Sequence, residues 1–417
     1  MKPRFALIAT ALALTLSTAA CGGASDASGT TTLEVQSGLA VDSHLRKSLE
    51  DASKKFEEKN PDIKINLVTA GDGYEKDMKV RLASGNVPDI WATHGWSKLR
   101  YNQFLAPLQN EAWAKDFNPA LADAMKDDDG AFYALPLDTD IAGIAYNQDV
   151  LQKAGFDVAD ITTWDDFAAA ARAIKANGTD PMTISGKDSG PAGNLVDWIA
   201  PGAYDEKALA GLKDGTFEKA DYQKILDQVQ GWAKEGFFNP DYSSATSSDM
   251  EKALAQGKAA FMFSQNRSIT NALEYNPEAK LGFMPVPSFE AGGQYLIGGE
   301  MNAYGISKTS KHPEAAKKFL AFLAEPENLS VLAKASGSAP GLTNAGTEIG
   351  ALQSSYDQFV KPGKLPLAPY FDRVYLPNGM WNTLVTTTDS VITGQSSADS
   401  AASQVESDFA SLYGQNK

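Results

Sequence analysis

Cysteine, histidine, positive charge and long apolar runs are all scarce in this chain. Cysteine occurs once, at Cys21, and histidine three times, at His44, His94 and His312. A lone cysteine excludes an internal disulfide, and histidines so far apart offer no ligand spacing for a metal. Neither a metal nor a cofactor is expected. The formal net charge is −15, which argues against nucleic acid and against an anionic membrane surface as partners. The apolar segment from Phe5 to Leu16 is shorter than the roughly 20 residues a spanning helix needs. Local catalytic signatures are missing too: there is no G-x-S-x-G, no phosphate loop and no dinucleotide fingerprint. Asp127-Asp128-Asp129-Gly130 looks at first like a calcium loop. Met125 stands where an EF-hand has its first acid and Pro136 where it has its closing Glu, so the run reads as a solvated turn.

What is present is enough apolar material for a large core. The chain has 417 residues, 43% of them hydrophobic and 21% charged, which suits two domains better than one. Its N-terminus places Lys2 and Arg4 before the apolar segment, then Ser17-Thr18-Ala19-Ala20, then Cys21. This is the layout of a secretory signal. With its cysteine directly after the small residues it resembles a bacterial lipoprotein signal, although Thr18 stands where that motif usually has Leu. Gly22 to Thr32 is rich in Gly, Ser, Thr and Ala and reads as a flexible tether. Acyl chains on Cys21, at about 0.8 kcal/mol per buried CH2, would hold the exported protein on the outer face of the cell membrane.

Beyond the tether, strands alternate with helices. Leu45, Leu49, Ala52 and Phe56 recur at helical spacing before Asn60-Pro61, Ile63, Ile65 and Leu67 alternate as in a strand, and Pro88 to Thr93 returns as a short buried strand. The alternation predicts an α/β fold with parallel pairing. Thr163-Trp164-Asp165-Asp166-Phe167 marks a helix start, Gly257 to Phe263 a buried strand, Ser264-Gln265-Asn266-Arg267 a polar loop, and Tyr370 to Tyr375 an aromatic-rich loop.

The stretch from Asp129 to Leu151 is the pivot of the chain. Pro136 cannot donate to a ladder, which places it at an edge or a junction. Asp138 and Asp140 follow on one face of an extended chain, roughly 6.5–7 Å apart. Paired carboxylates also describe a glycoside hydrolase, whose two acids face each other across the scissile bond. Two acids along a single strand cannot attack from opposite sides, so an enzyme is not expected.

The ordered series Gly85-Asn86-Val87-Pro88-Asp89-Ile90, Gly130 to Pro136, Ile144 to Leu151, Thr163 to Phe167, Gly257 to Met262 and Ile306-Ser307-Lys308 with Pro313 to Leu320 resembles a family. It is similar to the extracellular solute-binding proteins of bacterial ABC importers, in particular the carbohydrate-binding group related to maltose-binding protein. The resemblance covers essentially the whole mature chain. It implies a two-lobed, type II periplasmic-binding-protein-like α/β fold with three hinge crossings, near 138–143, near 290–298 and near 340. The implied division is a signal peptide (1–20), a lipid-anchored tether (21–32), one lobe from 33–140 plus 298–340 and another from 141–297 plus 341–417. It further implies a monomer that binds a mono- or oligosaccharide between the lobes and delivers it to membrane permease subunits. The alternatives are a non-sugar solute such as a polyol, peptide or polyamine, and a secreted glycoside hydrolase.

Carried over residue by residue, the resemblance puts an acidic sugar ligand at Asp140, with Asp138 facing the same way. His94 and Trp96 on the loop after Ala92 are further candidates, as are Trp198 and Trp381 as stacking platforms. Gln265, Asn266 and Arg267 suit hydroxyls, Gly298 and Gly299 allow close backbone approach, and Glu300 and Arg373 complete the set, with Asp372 as an alternative salt-bridge partner for Arg373.

Overall fold

The computed structural model describes residues 29–41, 43–69, 73–93, 101–188 and 190–415. Its strands run in chain order β1 (Thr31–Ser37), β2 (Ile63–Thr69), β3 (Ile90–Thr93), β4 (Leu135–Pro136), β5 (Asp138–Ala142), β6 (Ile144–Asn147) and β7 (Asp180–Met182). They continue as β8 (Ala259–Phe263), β9 (Leu281–Met284), β10 (Val286–Pro287), β11 (Gln294–Gly299), β12 (Ala303–Ile306), β13 (Ala339–Pro340) and β14 (Leu367–Pro369).

A first sheet has the order β2-β1-β3-β12-β4. Leu33 and Val35 of β1 are fully buried, as the alternation of an extended strand over one core requires. The helix His44–Lys59 begins at Ser43, whose side chain accepts from the backbone amide of Arg46, and buries Leu45, Leu49, Ala52 and Phe56. It is the helix that the apolar spacing predicts. β1 pairs in parallel with β2 and β3, whereas β12 runs antiparallel to β3 and β4. The expectation of parallel pairing therefore holds for the N-terminal units, and again for β7 with β8 and β11 with β14, whereas β12 returns from a distant part of the chain in the opposite direction. Pro136 lies on the edge strand β4, where its missing amide costs no ladder bond.

A second sheet has the order β7-β8-β6-β9. Against it packs the helix Trp164–Ala176, started by a capping box in which Thr163 and Asp166 satisfy each other's backbone amides. A third sheet, β10-β11-β5-β13 with β14 beside β11, joins the two halves. One apolar core gathers residues from Leu33 to Leu137 and from Ala303 to Leu342. A second gathers residues from Ala142 to Met301 and from Tyr370 to Phe409. Gly143 sits where β5 turns into β6, and a Cβ there would lie 1.9 Å from the carbonyl oxygen of Met284. No other residue fits that approach.

Two loops expected from the sequence are helical. Asn266–Tyr275 is a helix with Gln265 at its N-cap position, and Phe371–Tyr375 forms a short helix. Apolar Ile269 and Ala272 in the first case and Phe371 in the second are drawn into the core, and tertiary burial outweighs the local polar and aromatic composition. Among the described residues, no helix is long and apolar enough to cross a membrane.

Candidate ligand-binding cleft

A cleft of about 480 Å³ opens between the first and second cores. Gly38, Leu39, Lys79, Thr93, Asn302 and Tyr304 line one side, on or just beyond elements of the first sheet. The other side is built by Asn194 and Asp197 of the helix Pro191–Ile199, by Gln265 and Arg267, and by the segment from Tyr370 to Asn382.

The helix Pro191–Ile199 is buried along its whole length. Its Gly193 admits Trp381: a Cβ there would meet the indole at 2.9 Å. The indole thus rests against the helix, with its neighbours Asn194 and Asp197 on the same cleft wall. The backbone amide of Asp372 donates to Oδ1 of Asp197 at 2.8 Å. Burial pushes the carboxyl of Asp197 well above the usual range, and the charge of Asp372 pushes it further. Burial raises Asp372 too, against the attraction of Arg373.

Arg373 donates from Nη1 to the backbone carbonyl of Glu300 at 2.6 Å, and its guanidinium lies 4.3 Å from the Tyr370 ring centroid, a cation–π arrangement. The carboxylate nearest to it is Glu300, 3.9 Å away; Asp372 bonds back to the helix carrying Asp197 instead. Tyr370 in turn donates its hydroxyl to Oδ2 of Asp140 at 2.8 Å. Gly299, paired with Asp140 across β5 and β11, makes room for this ring, since a Cβ there would lie 2.5 Å from Tyr370 Cδ2.

Of the residues expected from the sequence, the structure brings Gln265, Arg267, Arg373 and Trp381 to the cleft. Several others form a frame behind it and do not line it. Asp138 is fully buried and accepts from the amides of Met301 and Asn302 at 3.0 Å, from Asn302 Nδ2 at 2.6 Å and from Ser336 Oγ at 2.9 Å. Its acceptor capacity is used within the protein, which corrects the expectation of a free hydroxyl acceptor. Asp140 is likewise fully buried, and burial pushes its carboxyl up to about 7 against the hydrogen bond from Tyr370. Trp198 is no open platform: it is fully buried, donates to the carbonyl of Gly143 at 3.0 Å and packs against Tyr370. Asn266 is buried and donates to the carbonyl of Ile141 at 3.1 Å. Gly298 is packed under Leu367, and Glu300 is fully buried. His94, Trp96 and Cys21 lie outside the described residues.

Asn194, Asp197, Asn302 and Tyr370 were not expected at the site. Asn194 and Asp197 carried a readable signal: they are the polar residues, three apart, in the otherwise apolar Pro191 to Ile199. Among the described residues, no group of three or more His, Cys, Asp or Glu side chains is arranged to hold a metal ion.

A two-lobed α/β molecule with a cleft of mixed polar and aromatic lining between its cores is the architecture of a solute receptor. The chain belongs to the bacterial extracellular solute-binding proteins, whose family model matches residues 42–329. It is 33% identical over 397 residues to the melibiose/raffinose/stachyose-binding protein MelE of Bacillus subtilis, covering 93% of this chain and 91% of that one. The crystal structure of the binding protein MsmE from Bacillus subtilis, in an open conformation, is similar with a TM-score of 0.82 and 30% identity, over 93% of this chain and 98% of that one. A sugar transporter from Bacillus licheniformis in complex with stachyose gives a TM-score of 0.81 and 30% identity, over 92% and 100%.

Proposed function

We propose that this protein is the substrate-binding lipoprotein of an ABC sugar importer and takes α-galactosides of the melibiose, raffinose and stachyose series. The observation that carries this reading is the cleft wall on which Trp381 stands beside Asn194, Asp197 and Asp372. A flat ring meets the C–H face of a pyranose, and carboxylates and amides accept and donate to its hydroxyls. The likeness to MelE and to the stachyose complex supports the sugar class. Melibiose, raffinose and stachyose share a terminal galactose α-linked to the 6-position of the next sugar.

Gln265, Arg267, Arg373 and Trp381 are the contacts retained from the sequence, with His94 and Trp96 proposed from the loop after β3. Asp138, Asp140, Asn266, Trp198, Gly299 and Glu300 act as the frame that holds them. The lobes comprise 33–140 plus 298–340 and 141–297 plus 341–417, and β5, β11 and β13 are the hinge crossings. Closure over the sugar is then favoured only by contacts absent from the open form. The ligand is returned unchanged to permease subunits, and a lipidated Cys21 keeps the monomeric receptor at the membrane. A sugar panel and a polyamine panel in a thermal-shift assay test the class: stabilisation by raffinose and none by spermidine is expected. The reverse would overturn it.

A further inference from the structure

Glu300 joins β11 to β12 just behind the cleft. It is fully buried, and neither of its carboxyl oxygens has a hydrogen-bond partner on any other described residue. An orphaned buried carboxylate is costly. Its nearest cation is Arg373, whose Nη1 is 3.9 Å from Oε1 but bonded to Glu300's own carbonyl oxygen at 2.6 Å. Arg373 lines the cleft and Glu300 does not. The carboxyl therefore lies where it can act on a bound ligand only through the guanidinium.

The charged and titratable surroundings are crowded with acids. Asp138 on β5 and Asp372 beside Arg373 act on Glu300 directly. Asp140 and Tyr370 form the next link, and Asp197 adds a further negative charge to Arg373. Three carboxyl groups, Glu300, Asp372 and Asp197, thus act on one guanidinium, with Asp138 and Asp140 behind them. Burial pushes the Glu300 carboxyl up to about 7, against the pull of Arg373 and of its own backbone amide, with a further push from Asp138 and Asp372.

We infer that Glu300 is a positioning residue for Arg373 and that its protonation controls how firmly the cleft holds a sugar. The inference rests on the sugar-binding reading above. When neutral, Glu300 leaves the guanidinium over the Tyr370 ring with its remaining N–H groups directed to ligand hydroxyls. When ionised, it draws the guanidinium, now 3.9 Å from Oε1, closer to itself and toward the frame and satisfies itself at the ligand's expense. Affinity then falls as pH rises through neutrality, and binding takes up a proton.

The test is isothermal titration of the full mature protein with raffinose from pH 5.5 to 8.5, in buffers of different ionisation enthalpy, for wild type and Glu300→Gln. Wild type is expected to lose several-fold affinity across the range and to take up a fraction of a proton near pH 7. Glu300→Gln, with its permanently neutral amide, is expected to bind above pH 7.5 as tightly as wild type does at pH 5.5. An unchanged pH slope in Glu300→Gln overturns the inference and assigns the linkage to Asp140 or to the Asp197 and Asp372 pair. A ligand-free readout separates it from the sugar assignment: a pH-jump infrared difference spectrum should show a protonated carboxyl band component that Glu300→Gln removes and Asp140→Asn leaves in place. Absence of that band overturns the inference whatever raffinose does, whereas absence of raffinose binding at every pH overturns the sugar reading.

Discussion

Tyr370 and Asp140 stand 230 residues apart in sequence, yet the phenol donates to the carboxylate at 2.8 Å inside the sheet that joins the two halves. The contact ties β5 to the segment carrying Asp372 and Arg373. It places Arg373 over a ring whose far end is anchored to the frame.

Tyr370→Phe removes that donor and leaves Asp140 buried with weaker partners. Leaving a buried acceptor without its hydrogen-bond donor costs about 1–3 kcal/mol, more when the acceptor is charged. Urea denaturation should show a lower midpoint with an unchanged slope, and raffinose affinity should fall along with it because Arg373 loses its anchored platform. An unchanged midpoint would show that Asp140 does not depend on this bond.

Gly299→Ala drives a Cβ to within 2.5 Å of the Tyr370 ring. Overpacking of this kind costs roughly 1–3 kcal/mol. Thermal unfolding should reveal the loss, and a Gly299→Ala, Tyr370→Leu double variant should recover part of it. If the two losses simply add, the ring is not what occupies the space.

Stability should itself depend on pH. Asp140 and Glu300 both sit near 7 in the folded protein, against about 3.9 and 4.3 in an unfolded chain. Between about pH 4 and pH 7 the native state therefore binds more protons than the unfolded state, so stability falls as pH rises through that window. Each group contributes up to about 1.4 kcal/mol per pH unit there. Asp140→Asn with Glu300→Gln should flatten the profile of urea midpoint against pH. A profile as steep as that of wild type would place the linkage elsewhere.

Much of the scaffold is legible in the sequence because its signals are local. The Thr163–Asp166 capping box, the apolar spacing of Leu45 to Phe56 and the edge position of Pro136 all follow from residues within a few positions of one another. The site is less so. Alternation along β5 says that Asp138 and Asp140 share a face, but not that amides from Met301 and Asn302 and hydroxyls from Ser336 and Tyr370 cover it. Those partners arrive from 160 or more residues away. Trp198 fails as a stacking platform for the same reason: only the fold shows that the backbone of Gly143 meets its indole.

Trp381→Ala bears on the ligand more than on the fold, because the indole is only partly buried and leans on Gly193. At least tenfold weaker raffinose binding is expected, about 1.4 kcal/mol, with circular dichroism unchanged. Affinity within twofold of wild type would remove the stacking role.

We propose that the cleft holds an α-galactoside. Isothermal titration of the purified mature protein with raffinose tests it most directly. The prediction is saturable binding of one sugar per chain, retained with melibiose or stachyose and lost when Asp197→Ala and Trp381→Ala are combined. No heat with any of the three sugars, alongside saturable binding of a polyamine or peptide, would contradict it.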